Sequence, residues 1–195
     1  MGHVARHKIQ KSEGRLTGQG MALAGLIMGY VFLVMPAISY ALLLPTFSPA
    51  KTPARKAAAK SDVTQIVSAV KSYYTDYGVY PISNGAQSPG GMTFGDGKSD
   101  NKALFDVLRA IEQGNSINTR KVVYLDVPQV RNLTQPKSGI GGDGNWYDPW
   151  GRQYIIRIDS GYTGKVGTPD NEQLNTGVIA WSLGPDGNTP ICSWK

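Results

Sequence analysis

The residue types that carry most protein chemistry are scarce in this chain and badly placed. Both histidines, His3 and His7, fall within the first ten residues, and the one cysteine is Cys192. No Ser-His-Asp or Cys-His arrangement and no histidine metal site can be assembled in the body of the chain. A lone cysteine closes neither a disulfide framework nor a cysteine-built zinc site; it serves as a buried plug, ahead of a free thiol or an intermolecular link. What remains is loop carboxylates. Asp143 and Asp148 could form a pair for glycoside hydrolysis, although loops this rich in aspartate produce such pairs by chance. Asp96-Gly97-Lys98-Ser99-Asp100-Asn101 has the look of an ion loop but lacks the EF-hand ligand spacing and its closing glutamate. Gly97-Lys98-Ser99 ends like a P-loop, yet the glycine required five residues earlier is Met92. Residues 139–144 (GIGGDG) lack the flanking strand and helix of a dinucleotide site. The expectation is a protein that is not an enzyme and has no evident small-molecule substrate.

Charge points to a membrane and away from nucleic acid. The net charge is +6 over 195 residues. Residues 1–60 hold eight of the basic side chains and a single acid, Glu13, whereas residues 61–195 are close to neutral. No charge occurs from Leu16 to Ala50, and residues 21–44 (MALAGLIMGYVFLVMPAISYALLL) are long enough to cross a bilayer as a helix. Tyr40 suits an interface, and Pro36 would kink the helix as membrane helices allow. The run exceeds a signal-peptide core, so an anchor is expected ahead of a cleaved signal or a buried core helix. Basic residues flank the span on both sides, and the positive-inside rule is nearly balanced. The N-terminus is placed inside because the long C-terminal part reads as an exported domain. Gly25 and Gly29 form a GxxxG pair that would let a second helix approach, or are ordinary membrane filler.

These readings divide the chain into a basic N-terminus (1–19), a membrane helix (20–45) and a domain (46–195) that begins with a helix at about 54–77. Pro49 and Pro53 suggest a short break before it. Val63, Ile66, Val67, Val70, Tyr74 and Tyr77 fall on one helical face, and Gly78 with Pro81 stops the helix. Residues 82–101 read as a glycine- and serine-rich loop. Asp100 is the expected cap of a short helix with Ala103, Leu104, Val107, Leu108 and Ile111 on one face. Residues 121–127 (KVVYLDV) read as a strand, residues 132–145 as loop. Trp146-Tyr147, residues 154–158 and residues 178–183 are short β-branched and aromatic runs, with a hairpin-like excursion over residues 159–176. Helices followed by a small antiparallel sheet make an α+β fold.

Four stretches in this order resemble the pseudopilins of type II secretion, and the major, G-type pseudopilin most of all. They are Leu42-Leu43-Leu44-Pro45 with the basic ARKAAAK after it; Val70-Lys71-Ser72-Tyr73-Tyr74 with Asp76-Tyr77-Gly78-Val79-Tyr80-Pro81; Asp148-Pro149-Trp150-Gly151 with Tyr154; and Trp181-Ser182-Leu183-Gly184-Pro185-Asp186-Gly187. Together they run over roughly residues 42–187. The resemblance implies a pilin-like fold, with a long N-terminal helix, half in the membrane and half amphipathic, packed on a small antiparallel sheet. It implies a bacterial inner-membrane protein with a cytoplasmic N-terminus and a periplasmic domain. Its partners would be membrane lipid and other pseudopilin or secretion-apparatus subunits, copies of itself included. The function implied is structural: a subunit of a type II secretion or type IV pilus-like apparatus, assembled through its N-terminal helix. The alternative is an uncleaved single-pass protein whose domain is a protein-binding module. In the DPWG stretch Asp148 would accept backbone N–H bonds in a tight turn, Pro149 would fix φ and Gly151 would supply a positive φ. Trp150 would be an apolar plug.

The chain departs from that family at two points. Family members begin after a leader ending in glycine and carry a glutamate five residues in; Gly20-Met21 could mimic the junction, but the fifth residue is Gly25. G-type members also bind calcium after the WSxGxDG stretch. Here Asp186, Asn188 and Thr189 and the carbonyls of Leu183 and Gly187 could supply oxygens, with Asp170 or Asp143 the acids another loop could bring. The competing reading of Gly184-Pro185-Asp186-Gly187 is a plain turn.

Overall fold

A computed structural model of the chain describes residue 24 and residues 27–32, 51–82, 91–114 and 116–195. The chain divides into two compact units, Met1–Thr52 and Pro53–Lys195. In the first, residues 27–32 are helical and exposed. A Cβ placed on Gly29 would meet nothing within 4 Å; Gly25 lies outside the described residues, as does most of the span expected over 20–45. Among the described residues no helix is long and apolar enough to cross a membrane.

The second unit is α+β, as expected. Helix α1 (Lys51–Tyr77) precedes strand β1 (Met92–Phe94), helix α2 (Lys102–Leu108), and strands β2 (Gly139–Ile140), β3 (Trp146–Tyr147), β4 (Ile155–Ile158), β5 (Val166–Gly167), β6 (Gln173–Leu174), β7 (Val178–Ser182) and β8 (Ile191–Cys192). The main sheet has the order β1-β4-β7-β8, and every pair is antiparallel. Two small hairpins, β2–β3 and β5–β6, complete the set.

Helix α1 starts earlier than the prolines suggested. Pro53 stands in its first turn, where the missing N–H has no helical partner to lose. Ala59, Val63, Ile66, Ala69, Val70 and Tyr73 are buried. Tyr73 takes the place expected for Tyr74, because a stripe of period 3.6 drifts onto the tenth residue after Val63. Tyr74 instead stacks on Tyr80, with ring centroids 4.6 Å apart.

The sheet is covered on both faces. Ile156 and Ile158 of β4 and Val178 and Ala180 of β7 join α1 and α2 in one core. The alternate residues Ile155, Ile179 and Trp181 form a second core with Val166 of the β5–β6 hairpin and Cys192. Every residue of β7 is therefore buried. Cys192 is buried, the plug role read from the sequence.

Four expectations need correction. The segment 121–127 joins no ladder. Strands β1 and β2 arise inside stretches read as loop, because two or three residues are too few for a pattern. Ile111 is exposed, since α2 ends at Leu108 and Ala110 turns the chain with φ 57°. Asp100 does not cap α2: Asn101 holds that position without a side-chain capping bond, and Asp100 accepts from Gln153 Nε2 at 3.1 Å.

Asn101 is released for another task. It is wholly buried. Its Nδ2 donates to the carbonyls of Trp146 (3.1 Å) and Tyr154 (2.9 Å), and its Oδ1 accepts from the Trp146 amide at 2.9 Å. One amide side chain thus pairs backbone between β3 and β4 where no strand lies. Asn101→Ala takes the partner from the Trp146 amide and the Tyr154 carbonyl, while the Trp146 carbonyl keeps the Tyr154 amide at 3.1 Å, and it should lower the unfolding free energy by roughly 2 kcal/mol. Asn101→Asp should cost at least as much at neutral pH, because its carboxylate would face two carbonyls. Denaturant unfolding of both variants checks this.

Candidate functional site

The DPWG turn joins β3 to β4, and its aspartate is wholly buried. Asp148 Oδ1 accepts from the amides of Trp150 and Arg152, each at 2.9 Å. Its carbonyl accepts from Gly151 and Ser138, each at 3.0 Å, and its own amide donates to the Arg152 carbonyl at 2.7 Å. Gly151 has φ +92°, which favours glycine on conformational grounds, and a Cβ there would make a tight 3.1 Å contact with the Pro136 carbonyl oxygen. Pro149 stands at the second position of the turn, where its fixed φ is favourable.

The second carboxylate oxygen reaches out of the turn. Asp148 Oδ2 accepts from Ser182 Oγ at 2.6 Å, and Ser182 Oγ in turn accepts from the Gly184 amide at 3.0 Å. The Arg152 guanidinium donates to the Gly184 carbonyl. The DPWG stretch and the WSLGPDG stretch, 34 residues apart at Asp148 and Ser182, therefore form one hydrogen-bonded junction. Gly184 cannot be replaced within it: φ is +76°, and a Cβ would sit 2.1 Å from the Thr189 carbonyl oxygen.

The aromatic residues of the two stretches serve different cores. Trp150 is half-buried and packs against the helix-side core. The fully buried plug at this seam is Trp146, edge-on to both Phe105 and Tyr154. Trp181 faces the opposite core, meets Trp194 edge-on and carries the Arg157 guanidinium 5.7 Å from its ring centroid. Arg157 also donates to Thr93 Oγ1 at 3.0 Å and the Gly167 carbonyl at 2.7 Å, linking β1, β4 and the β5–β6 hairpin.

Tyr154 crosses from sheet to helix. Its hydroxyl donates to Asp62 Oδ2 of α1 at 2.6 Å. Burial raises the Asp62 pKa above the ordinary carboxylate value; the Tyr154 hydrogen bond opposes this and the Asp148 charge adds to it. Burial and the Asp62 charge push the Tyr154 hydroxyl up as well. Neither Asp62 nor Asn101 stood out in the sequence. A polar residue on an otherwise apolar helical face was the signal available for Asp62.

The residues proposed for calcium form a self-contained turn. Asp186 Oδ1 accepts from the amides of Asn188 (3.0 Å) and Thr189 (2.9 Å), and Oδ2 from Thr189 Oγ1 at 2.8 Å. The Asn188 amide, the Thr189 hydroxyl and the Thr189 amide hold the Asp186 carboxyl down to about 2. A calcium ion takes six to eight oxygens. Here one carboxylate is engaged three times by its own loop, and the Arg152 guanidinium already lies against Gly184 and within 3.5 Å of a Cβ placed on Gly187. Leu183 is half-buried beside the second core. This donor set is short of what calcium requires. Of the acids from other loops, Asp170 pairs with Lys195 at 3.1 Å, and Asp143 accepts from Tyr147 (2.6 Å) and Asn145 (2.8 Å). Among the described residues no three His, Cys, Asp or Glu side chains gather as a metal group would need.

The buried carboxylate of the junction already accepts three hydrogen bonds from its own fold. Comparison with protein-family models, with curated proteins and with solved structures finds no match.

The raised Asp62 pKa has a direct consequence. A carboxyl whose folded pKa lies above its unfolded value binds its proton more tightly when folded, so its charge opposes folding at neutral pH and ceases to as pH falls. Asp62→Asn keeps an acceptor for Tyr154 and removes the charge. The variant should melt above the parent at neutral pH, and the two should converge at about pH 3. Melting curves across that range check this.

Proposed function

We propose that the chain is a membrane-held, pilin-like structural subunit of a type II secretion or type IV pilus-like apparatus, exposing residues 53–195 on the periplasmic side. The observation that carries this reading is the Asp148–Ser182–Gly184 junction. It joins two of the four stretches that resemble pseudopilins, and it does so on a sheet backed by a 27-residue helix. That helix follows a charge-free apolar run in the sequence, the order needed for a span continued outside the bilayer. Filament assembly would then use the helix, while the sheet domain stands outside it. The neutral charge of residues 61–195 supports contacts with protein more than with nucleic acid.

The test is the intact mass of the protein purified from membranes of its native host. The expected species begins at Met21, with or without a methyl group, as left by a leader peptidase. A species beginning at Met1 would overturn the filament subunit and leave an uncleaved anchor carrying a protein-binding module.

A further inference from the structure

The loop over residues 128–138 folds round a cleft of about 610 Å³, within the range of about 300–1,000 Å³ usual for small-ligand sites. Arg131 and Lys137 line it. Both are exposed, and among the described residues neither is in an ion pair. The other polar walls are neutral: Gln129, Asn132, Gln135 and Ser138. Among the described residues no acid and no aromatic ring lines the cleft, and Pro128 is its one apolar residue. The walls are fixed to the Asp148 junction. The Ser138 amide donates to the Asp148 carbonyl, the Val130 amide to the Ile140 carbonyl and the Ile140 amide to the Pro128 carbonyl, each at 3.0 Å. The Lys137 stem runs beside Gly151, where an added Cβ would lie 3.4 Å from its Cγ and Cε. Asn132 Oδ1 accepts from the amides of Thr134 (2.9 Å) and Gln135 (3.4 Å), which leaves its Nδ2 as a donor. A cleft held on both sides in this way needs little ordering when a ligand fills it.

We propose that this cleft binds an acidic saccharide, a sugar or short sugar chain bearing carboxylate or phosphate groups. The lining selects the ligand. Two cations with no acid beside them call for an anion, and a guanidinium pairs with a carboxylate or a phosphate through two parallel hydrogen bonds. The neutral amides and the Ser138 hydroxyl both donate and accept, as sugar hydroxyls do. A nucleotide base would need an aromatic ring to stack on, and a lipid or an apolar peptide would need an apolar wall; the cleft offers neither. Residues 61–195 are close to neutral overall, so the attraction is local to the cleft and not a property of the whole domain. The site is separate from the N-terminal helix and does not rest on the membrane reading.

The test is titration calorimetry of the full chain in a non-ionic detergent. The probes are trigalacturonate and glucose 6-phosphate, with maltotriose and glucose as their uncharged counterparts. At least one acidic sugar should bind ten-fold or more tightly than its counterpart, and less tightly as salt rises. Arg131→Gln should weaken that binding about ten-fold, and so should Lys137→Gln. Lys121→Gln removes an exposed cation outside the cleft and should leave binding unchanged. Melting curves show that each variant is folded, and Arg131→Gln serves alone if the change beside Gly151 disturbs the turn. Equal losses at Arg131 and Lys121 would overturn the proposal, since the attraction would then be unspecific. Inorganic phosphate bound as tightly as glucose 6-phosphate would mean an adventitious ion only, and triglutamate bound as tightly as trigalacturonate would mean a site for acidic peptide; either result overturns it. So does the absence of binding by both acidic sugars at millimolar concentration.

Discussion

The structure depends on a buried carboxylate that must be satisfied where it stands. Asp148 is inaccessible to water, and a buried carboxylate costs several kcal/mol unless it is hydrogen-bonded. Two backbone amides and one hydroxyl donate to it. Each charge-assisted bond of this kind contributes roughly 1.5–3 kcal/mol, so the turn cannot move without exposing the charge to an apolar surrounding. Ser182 is the last residue of β7 and Gly184 opens the following loop, so the same carboxylate sets where the central strand ends and where the chain leaves it. The functional reading depends on this point, because it brings together two stretches that are separately ordinary.

From that anchor the rest of the fold follows by covering surfaces. Strand β7 is buried along its whole length because α1 lies on one face and the β5–β6 hairpin with the Trp181–Trp194 pair on the other. Arg157 crosses from β4 to both neighbours with its planar group over Trp181, a use of guanidinium that lysine could not make. Tyr154 and Asn101 tie the sheet to α1 and to the α2 entrance. The polar groups of the interior are thus connectors between elements.

Local features were the legible ones. The DPWG turn could be read because proline, glycine and aspartate each carry a conformational preference independent of the rest of the chain. The long helix was legible from its periodicity, although a pattern cannot separate Tyr73 from Tyr74 when both are tyrosine. Asp100 and Asn101 show the limit clearly. Both are good caps by type, and only the approach of β3 and β4 decides that Asn101 is wanted for backbone pairing. Strands of two or three residues hold no periodicity to detect. The segment 121–127 reads as a strand and forms none, because the Tyr124 and Leu125 amides turn to the Leu108 carbonyl, a partner the local pattern does not reveal. Of the candidate site, Asp148, Gly151 and Tyr154 were placed in advance, whereas Ser182 and Asp62 were not, because their roles are defined by partners 34 and 92 residues away.

The most direct measurement is a double-mutant cycle on Asp148→Ala and Ser182→Ala, read as unfolding free energies of the full chain in denaturant. If one junction holds both stretches, each single change should be costly and the double change should cost less than their sum, with a coupling of about 1 kcal/mol or more. Strictly additive losses would contradict it, since the turn and the strand end would then be held independently.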